Sequence, residues 1–231
     1  MEQPLVSVII PYYKGEKYIT ETLQSIFSQN YSNLEVIVVN DESPEEALEP
    51  LKAFGDAVRI ITQKNQGQAA ARNAGITVAK GSVIAFSDQD DLWGEDSLAN
   101  MIPYIIGNNE ERKMYEVVRG VTEIFHTNEQ GEQVVTKTLH SPVLIGSAIY
   151  KREVFEKVGL FDASMRVGED FDWNIKLQAS NCSEKRIPQV TFRHRKHDAN
   201  QSGSENYIKD GQFDSIRKKL ERMRESSPKT K

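Results

Sequence analysis

Three carboxylates fall within four positions at Asp88, Asp90 and Asp91, directly after the apolar run Val83–Phe86. Carboxylates this close repel one another, and water shields them incompletely where a strand leaves a core. The plain reading is a solvated acidic turn or a helix N-cap. The chemical reading is a divalent cation held by hard oxygen ligands and shared with a phosphate-bearing substrate. Mg²⁺ or Mn²⁺ suits such oxygens, and the lack of clustered Cys and His argues against zinc. Asp91 is read as a cap for the helix that follows rather than as a third ligand, and Trp93 as packing beneath the turn.

Other residues could share a site with this turn. Glu169 and Asp170 open a helical stretch just before the apolar Phe171 and Trp173. Partial burial raises a carboxyl pKa toward a value useful to a general base. Adjacent helical residues point about 100° apart, so only one of the two can face a substrate; the bland alternative is that both complement the helix dipole. Asp41 ends an apolar run and either forms an Asx-turn with Ser43 or accepts an N–H from a nucleobase, which suits uracil or guanine better than adenine. Gly67-Gln68 opens a helix whose free N–H groups could meet sugar or phosphate, with Arg72 one turn further on. His126 and His140 carry no comparable case.

The elements that must position these residues follow from periodicity. Apolar runs at Val6–Ile10, Leu34–Val39 and Val83–Ser87 read as buried strands, and Val58–Thr62 as a further strand. Helical spacing covers Lys17–Gln29, Glu45–Phe54 and Gly67–Ala79, with a further helix from Asp96. Strand and helix thus alternate through residue 106, the pattern of a doubly wound parallel sheet. Ligands in such sheets sit beyond the carboxyl ends of the strands, where Pro11–Tyr13, Asp41–Ser43 and Asp88–Asp91 all fall. After residue 110 the pattern changes. Tyr115–Thr127 and Gln133–Leu139 read as an antiparallel hairpin across Asn128–Gly131, followed by a strand at Ile145–Tyr150 and a helix at Arg152–Val158. A helix at Glu169–Ala179, with Phe171, Ile175 and Leu177 inward, and a last strand at Gln189–His194 complete the series.

At 231 residues, 38% hydrophobic and 27% charged, the chain suits one large α/β domain. A net charge of −5 argues against a general nucleic-acid binder. A lone cysteine, Cys182, excludes an intrachain disulfide and fits a reducing compartment. No segment reaches the roughly 18 apolar residues of a membrane span, so a cytoplasmic location is expected. The basic run Arg217–Arg224 leaves peripheral contact with the inner face of the membrane open, although a solvated helix face is the preferred reading.

Five stretches appear in a telling order: Val6–Pro11, Val39–Ser43, Asn65–Gly67 with Ala71–Gly75, Phe86–Trp93 and Gly168–Trp173. Together they resemble the family 2 glycosyltransferases, inverting enzymes of the GT-A fold, over roughly residues 4–202. The resemblance implies a GT-A (Rossmann-like) mostly parallel sheet flanked by helices, with a small antiparallel region in the C-terminal half. It implies a nucleotide-sugar half over about 1–110, an acceptor half over about 111–202 and a polar tail over 203–231. The implied activity is transfer of a sugar from a nucleotide-diphosphate sugar, UDP favoured over GDP, to an acceptor hydroxyl, as in polysaccharide biosynthesis. Mn²⁺ or Mg²⁺ is the implied cofactor. By motif position Pro11 and Tyr13 would line the nucleotide pocket and Asp41 would bond the base. Gly67 and Arg72 would contact the donor, Asp88 and Asp90 would form the metal-binding D-x-D pair, and Asp170 would be the base with Glu169 second. Arg195-Lys196-His197, followed by Ser202, resembles a late Arg-x-His segment whose His197 would touch diphosphate or metal. The acceptor stays open among a glycan, a lipid-linked saccharide and a protein. The alternatives are a non-catalytic nucleotide-sugar-binding protein and a sugar nucleotidyltransferase.

Overall fold

The computed structural model describes residues 3–140, 143–198, 200 and 217–218. Four parallel strands form one half of the sheet: β1 (Val6–Tyr12), β2 (Leu34–Asp41), β3 (Val58–Gln63) and β4 (Val83–Phe86), in the spatial order β3-β2-β1-β4. β1 is buried along its whole length, as its β-branched run demands. It runs past Pro11, where the sequence suggested an end. β4 pairs with β1 only as far as Ile9, so the last turn of β1 has β2 alone as a neighbour. A missing N–H is tolerated at such a local edge.

Helices α1 (Ile19–Phe27), α2 (Glu49–Lys52) and α3 (Gln68–Val78) connect these strands. The helix expected over Glu45–Phe54 is reduced to a 3₁₀ turn, Glu45–Leu48, and the single turn of α2, with Pro50 in the first turn. Two apolar layers cover the sheet. One holds Ile19, Leu23 and Ile26 of α1, together with Leu98, Met101 and Ile105 of α4 (Ser97–Ile106). The other holds α3 with Phe155 of α5 (Glu153–Val158), and Trp173 and Leu177 of α6 (Glu169–Ala179).

The second half of the sheet is mixed. A two-residue strand, β5 (Leu92–Trp93), follows the acidic turn, and then come β6 (Val117–Thr127), β7 (Gln133–Leu139), β8 (Ala148–Lys151) and β9 (Glu184–Arg195). β8 joins the two halves, lying antiparallel to both β4 and β6, while β7 forms the expected hairpin with β6. The strand expected from Ile145 begins with a 3₁₀ turn at Ile145–Ser147. β9 starts five residues before the expected Gln189 and runs parallel to β6. Its charged start and Pro188 read as a loop in sequence. In the fold the pairing shifts register between Arg186 and Val190, and Pro188 sits in that irregularity, where no ladder hydrogen bond is asked of it. Gly120 faces the same place, and a Cβ there would come within 2.3 Å of the Thr191 side chain.

On α6, Leu177 is buried as expected, but Phe171 and Ile175 are only half-buried. The face against the sheet is made instead by Glu169, Asp172, Trp173 and Leu177. Two of these are acidic, which is why hydrophobicity alone misplaced the face. Of the tail over 203–231, only Arg217 and Lys218 are among the described residues. They are helical, and Lys218 pairs with Asp162. Ser202 and the rest of the basic segment Ser215–Glu225 lie outside the described residues.

Trp173 is fully buried, stacks on Phe155 and Phe161 at centroid distances of 5.1 and 5.3 Å, and donates from Nε1 to the Gly159 carbonyl at 2.8 Å. Trp173→Ala is expected to lower stability by about 3–5 kcal/mol, read as a drop in the urea midpoint at unchanged slope.

Candidate active site

The carboxyl ends of β1, β2 and β4, the first turns of α3 and α6, and the end of β9 meet around one cavity of ≈ 630 Å³. Its floor is organised by Arg72. This guanidinium is 1% exposed; Nη1 donates to Glu169 at 2.7 Å, and Nη2 donates to Asp88 at 2.8 Å and Gln68 at 3.2 Å. It also lies over the Phe161 ring at 5.6 Å. Burial alone would ease off its proton, but the charges of Asp88, Glu169 and Asp170 outweigh burial and hold it more firmly cationic than a free arginine.

The acidic turn is partitioned. Asp91 is fully buried and ties the turn to β9, with its Oδ1 accepting from the Arg195 main-chain N–H at 2.8 Å and facing His194 Nδ1 at 3.0 Å. Burial raises Asp91 to about 6. Burial opposes the charge on His194, yet Asp91, Asp88 and Asp90 outweigh it and raise the imidazole to about 9. Asp90 faces outward to His197, Oδ2 to Nε2 at 2.9 Å, with its pKa raised by burial and by the Asp88 charge against the pull of His197. Tyr18 holds the His197 ring by stacking at 4.7 Å. Arg195 lies over the other end of this cluster, 4.9 Å from Tyr18, and donates to the Asp90 carbonyl at 2.9 Å.

Asp41 also lines the cavity. Its Oδ1 accepts from Gln63 Nε2 at 2.8 Å and from the Gln66 N–H at 2.9 Å, and its Oδ2 accepts from the Gly67 N–H at 2.8 Å. These bonds turn the chain into α3 through Gly67, whose φ of +89° only glycine adopts without strain. Arg166 bridges from the loop before α6 to Asn65, Nη1 to Oδ1 at 3.1 Å. Asp170 opens α6 at the cavity wall, raised to about 6 by burial and then by the Glu169 charge, against the opposing pull of Arg72.

Residues 7–159 match the family model described as glycosyl transferase family 2. The chain belongs to that family. Curated relatives include an uncharacterised glycosyltransferase of Rickettsia typhi, 28% identical over 85% of this chain and 65% of the relative, and EpsJ of Bacillus subtilis, an uncharacterised glycosyltransferase 33% identical over 74% of this chain and 55% of the relative. The chain therefore spans between about half and two-thirds of these relatives' lengths. Among solved structures, Staphylococcus aureus TarS 1-349 in complex with UDP-GlcNAc aligns at a TM-score of 0.72 and 20% identity, over 92% of this chain and 64% of that one. The mannosyltransferase PcManGT of Pyrobaculum calidifontis, in complex with GDP-Man and Mn²⁺, aligns at 0.73 and 21%, over 96% of this chain and 65% of that one. The fold is the GT-A fold expected from the motifs.

For this family 2 chain, the structure brings most of the residues singled out in sequence to one place. Pro11, Tyr13, Asp41, Gly67, Arg72, Asp88, Asp90, Asp170 and His197 all line the cavity. Glu169 does not. It was a candidate for the base, but neighbouring helical side chains diverge, and its carboxylate is buried under Arg72. Asp91 does not cap the next helix either: α4 begins at Ser97 behind Asp96 in the left-handed conformation, and Asp91 is committed to β9. Two cavity residues, Gln89 and Arg166, carried no sequence signal of their own. Gln89 lies inside the acidic motif between the two aspartates, and Arg166 meets Asn65 across 101 residues of chain.

Among the described residues, no three His, Cys, Asp or Glu side chains group to hold a metal by themselves. The donor set nevertheless fits one that also draws on a substrate. The Asp90 carboxylate and the His197 imidazole, 2.9 Å apart at the cavity, would supply an oxygen and a nitrogen ligand, and substrate phosphate oxygens would supply others.

Removing the central cation is expected to strand two carboxylates. Arg72→Met should cost about 3–5 kcal/mol in chemical denaturation. Adding Glu169→Gln should recover part of that loss, a non-additive pair that a double-mutant cycle would read out.

Proposed function

We propose that this protein transfers a sugar from a nucleotide-diphosphate sugar, UDP-linked in preference to GDP-linked, to an acceptor hydroxyl with inversion at the anomeric carbon. The observation that carries this reading is the shared cavity: Asp170, Asp88 and the Asp90–His197 pair all line it, with Asp90 Oδ2 and His197 Nε2 2.9 Å apart. Support comes from family membership and from the donors bound by the two fold neighbours, UDP-GlcNAc in TarS and GDP-Man in PcManGT.

Asp170 takes the proton from the acceptor hydroxyl as its oxygen bonds to the anomeric carbon, while the bond from that carbon to the diphosphate oxygen breaks and its electron pair leaves with the nucleoside diphosphate. A pKa raised to about 6 makes Asp170 a stronger base than an ordinary aspartate while leaving it ionised at neutral pH. Arg72 offsets one of the two negative charges on Asp88 and Glu169, which lessens the repulsion facing the departing phosphates. Asp90 and His197 would hold Mn²⁺ or Mg²⁺, which when bound neutralises charge developing on the leaving diphosphate. Tyr13, exposed in the lining of the cavity that Asp41 also lines, offers its ring to the base.

The sign of the pH dependence follows from the base. Asp170 works ionised, so sugar release from the donor should fall as pH drops through about 6 and level off above it. Asp170→Asn should lower kcat by about 10²–10⁴-fold and abolish that acidic limb. Asp90→Ala should remove the metal dependence of UDP or GDP binding, followed by thermal shift with and without Mn²⁺. Stabilisation of the wild-type protein by neither nucleotide would sink the donor assignment.

A further inference from the structure

One side chain in the acidic turn has no part in the chemistry above. Gln89, between Asp88 and Asp90, reaches back 76 residues to the loop that follows β1. Its Oε1 accepts from the Tyr13 N–H at 2.8 Å, and its Nε2 donates to the Tyr13 carbonyl at 3.1 Å. One amide thus satisfies both main-chain groups of Tyr13, a residue that lines the cavity. The Gln89 carbonyl is itself held by Thr22 Oγ1 at 3.0 Å. From the other side Ser43 Oγ accepts from the Lys14 N–H at 3.0 Å, so the loop is pinned at two consecutive residues.

Gly15 shows how closely this contact is built. Its φ is not in the left-handed range, so its backbone does not require glycine. What a Cβ would meet is Gln89 alone among its nearest atoms: Oε1 at 2.4 Å, Cδ at 2.5 Å and Cγ at 3.0 Å. The amide of Gln89 occupies the space that a side chain at position 15 would need.

We propose that Gln89 is a positioning residue for the donor nucleotide. It fixes the distance between the Tyr13 loop and the Asp88–Asp90 turn, so that both ends of one ligand meet surfaces already set for them. The proposal rests on the nucleotide-sugar reading above. Preorganisation of this kind appears as affinity, because a free loop must be ordered when the ligand binds.

The test is calorimetric titration of UDP and of GDP, each with Mn²⁺, into the wild-type protein and into Gln89→Ala, Gln89→Met, Gly15→Ala and the Gln89→Ala/Gly15→Ala double variant. Gln89→Met keeps the length of the side chain and removes its amide. Gln89→Ala and Gln89→Met should each weaken nucleotide binding about tenfold, the scale of one to two net hydrogen bonds, with the unfolding midpoint of the free protein unchanged. Gly15→Ala alone should weaken binding to the same degree, since its methyl displaces the amide from Tyr13. The double variant should bind no more weakly than Gln89→Ala, since the methyl then enters vacated space. Wild-type affinity in Gln89→Met, additive losses in the double variant, or an affinity loss that merely tracks a fall in the unfolding midpoint would each overturn the proposal. A wild-type protein that binds neither nucleotide would overturn the nucleotide-sugar reading and this proposal together, whereas tight wild-type binding with unaffected variants would sink this proposal alone.

Discussion

A single buried guanidinium holds the site together. Arg72 bridges a carboxylate from the β4 turn, Asp88, and one from the start of α6, Glu169, while lying close enough to Asp170 to lower its pKa. Neither carboxylate could sit so near Asp90 and Asp170 without that cation, because in a low-dielectric setting their repulsion would drive protonation or local opening. Arginine suits the task because its planar fork serves two acceptors at once and its charge cannot be titrated away. The balance that results is specific. Arg72 moderates Asp170 without cancelling it, since burial and the Glu169 charge together still leave the carboxyl raised.

The remaining carboxylates are sorted by what they face. Asp91 faces inward and spends its charge on His194 and the Arg195 N–H, fastening the turn to the last strand. Asp90 faces the cavity, where its carboxylate meets His197; Tyr18 stacks on the His197 ring, and Arg195 lies over Tyr18 and donates to the Asp90 carbonyl. Three neighbouring residues of one chemical type therefore do three things: Asp88 pairs with the buried Arg72, Asp90 presents its carboxylate to His197 at the cavity, and Asp91 joins two elements.

The second half of the sheet exists, in this reading, to deliver β9. The antiparallel β8 links the β1–β4 half to β6, and β6 carries β9 in parallel to the edge of the cavity. The irregularity at Pro188 shifts the register midway, after which Phe192, Arg193 and His194 pair with Leu92 and Trp93 or with β6, and Arg195 and His197 come down on the acidic turn. Gly120 lets β9 approach β6 where a side chain would collide with Thr191.

Much of this was legible in the residues themselves. Apolar β-branched runs alternating with helical spacing dictate a parallel α/β sheet, and polar residues at the ends of those runs must gather at one sheet edge; Asp41 and Asp88 follow from that alone, whereas Asp170 was singled out over Glu169 by the motif resemblance. Pairing partners were not legible, because they depend on which surfaces meet. Sequence spacing could not tell that Asp91 belongs to β9 rather than to α4, since its partners lie more than 100 residues away. Glu169 and Asp170 are indistinguishable by type, and only the rotation of α6 against Arg72 separates a buried counter-charge from a group at the cavity wall. The reach of β9 was hidden because charge and proline suppress a strand signal, whereas a register shift accommodates both. The sequence by itself determined the sheet, the edge where chemistry collects and the residue types available there; the tertiary structure alone decided which carboxylate meets which cation, because charge pairing depends on distances that chain order does not set.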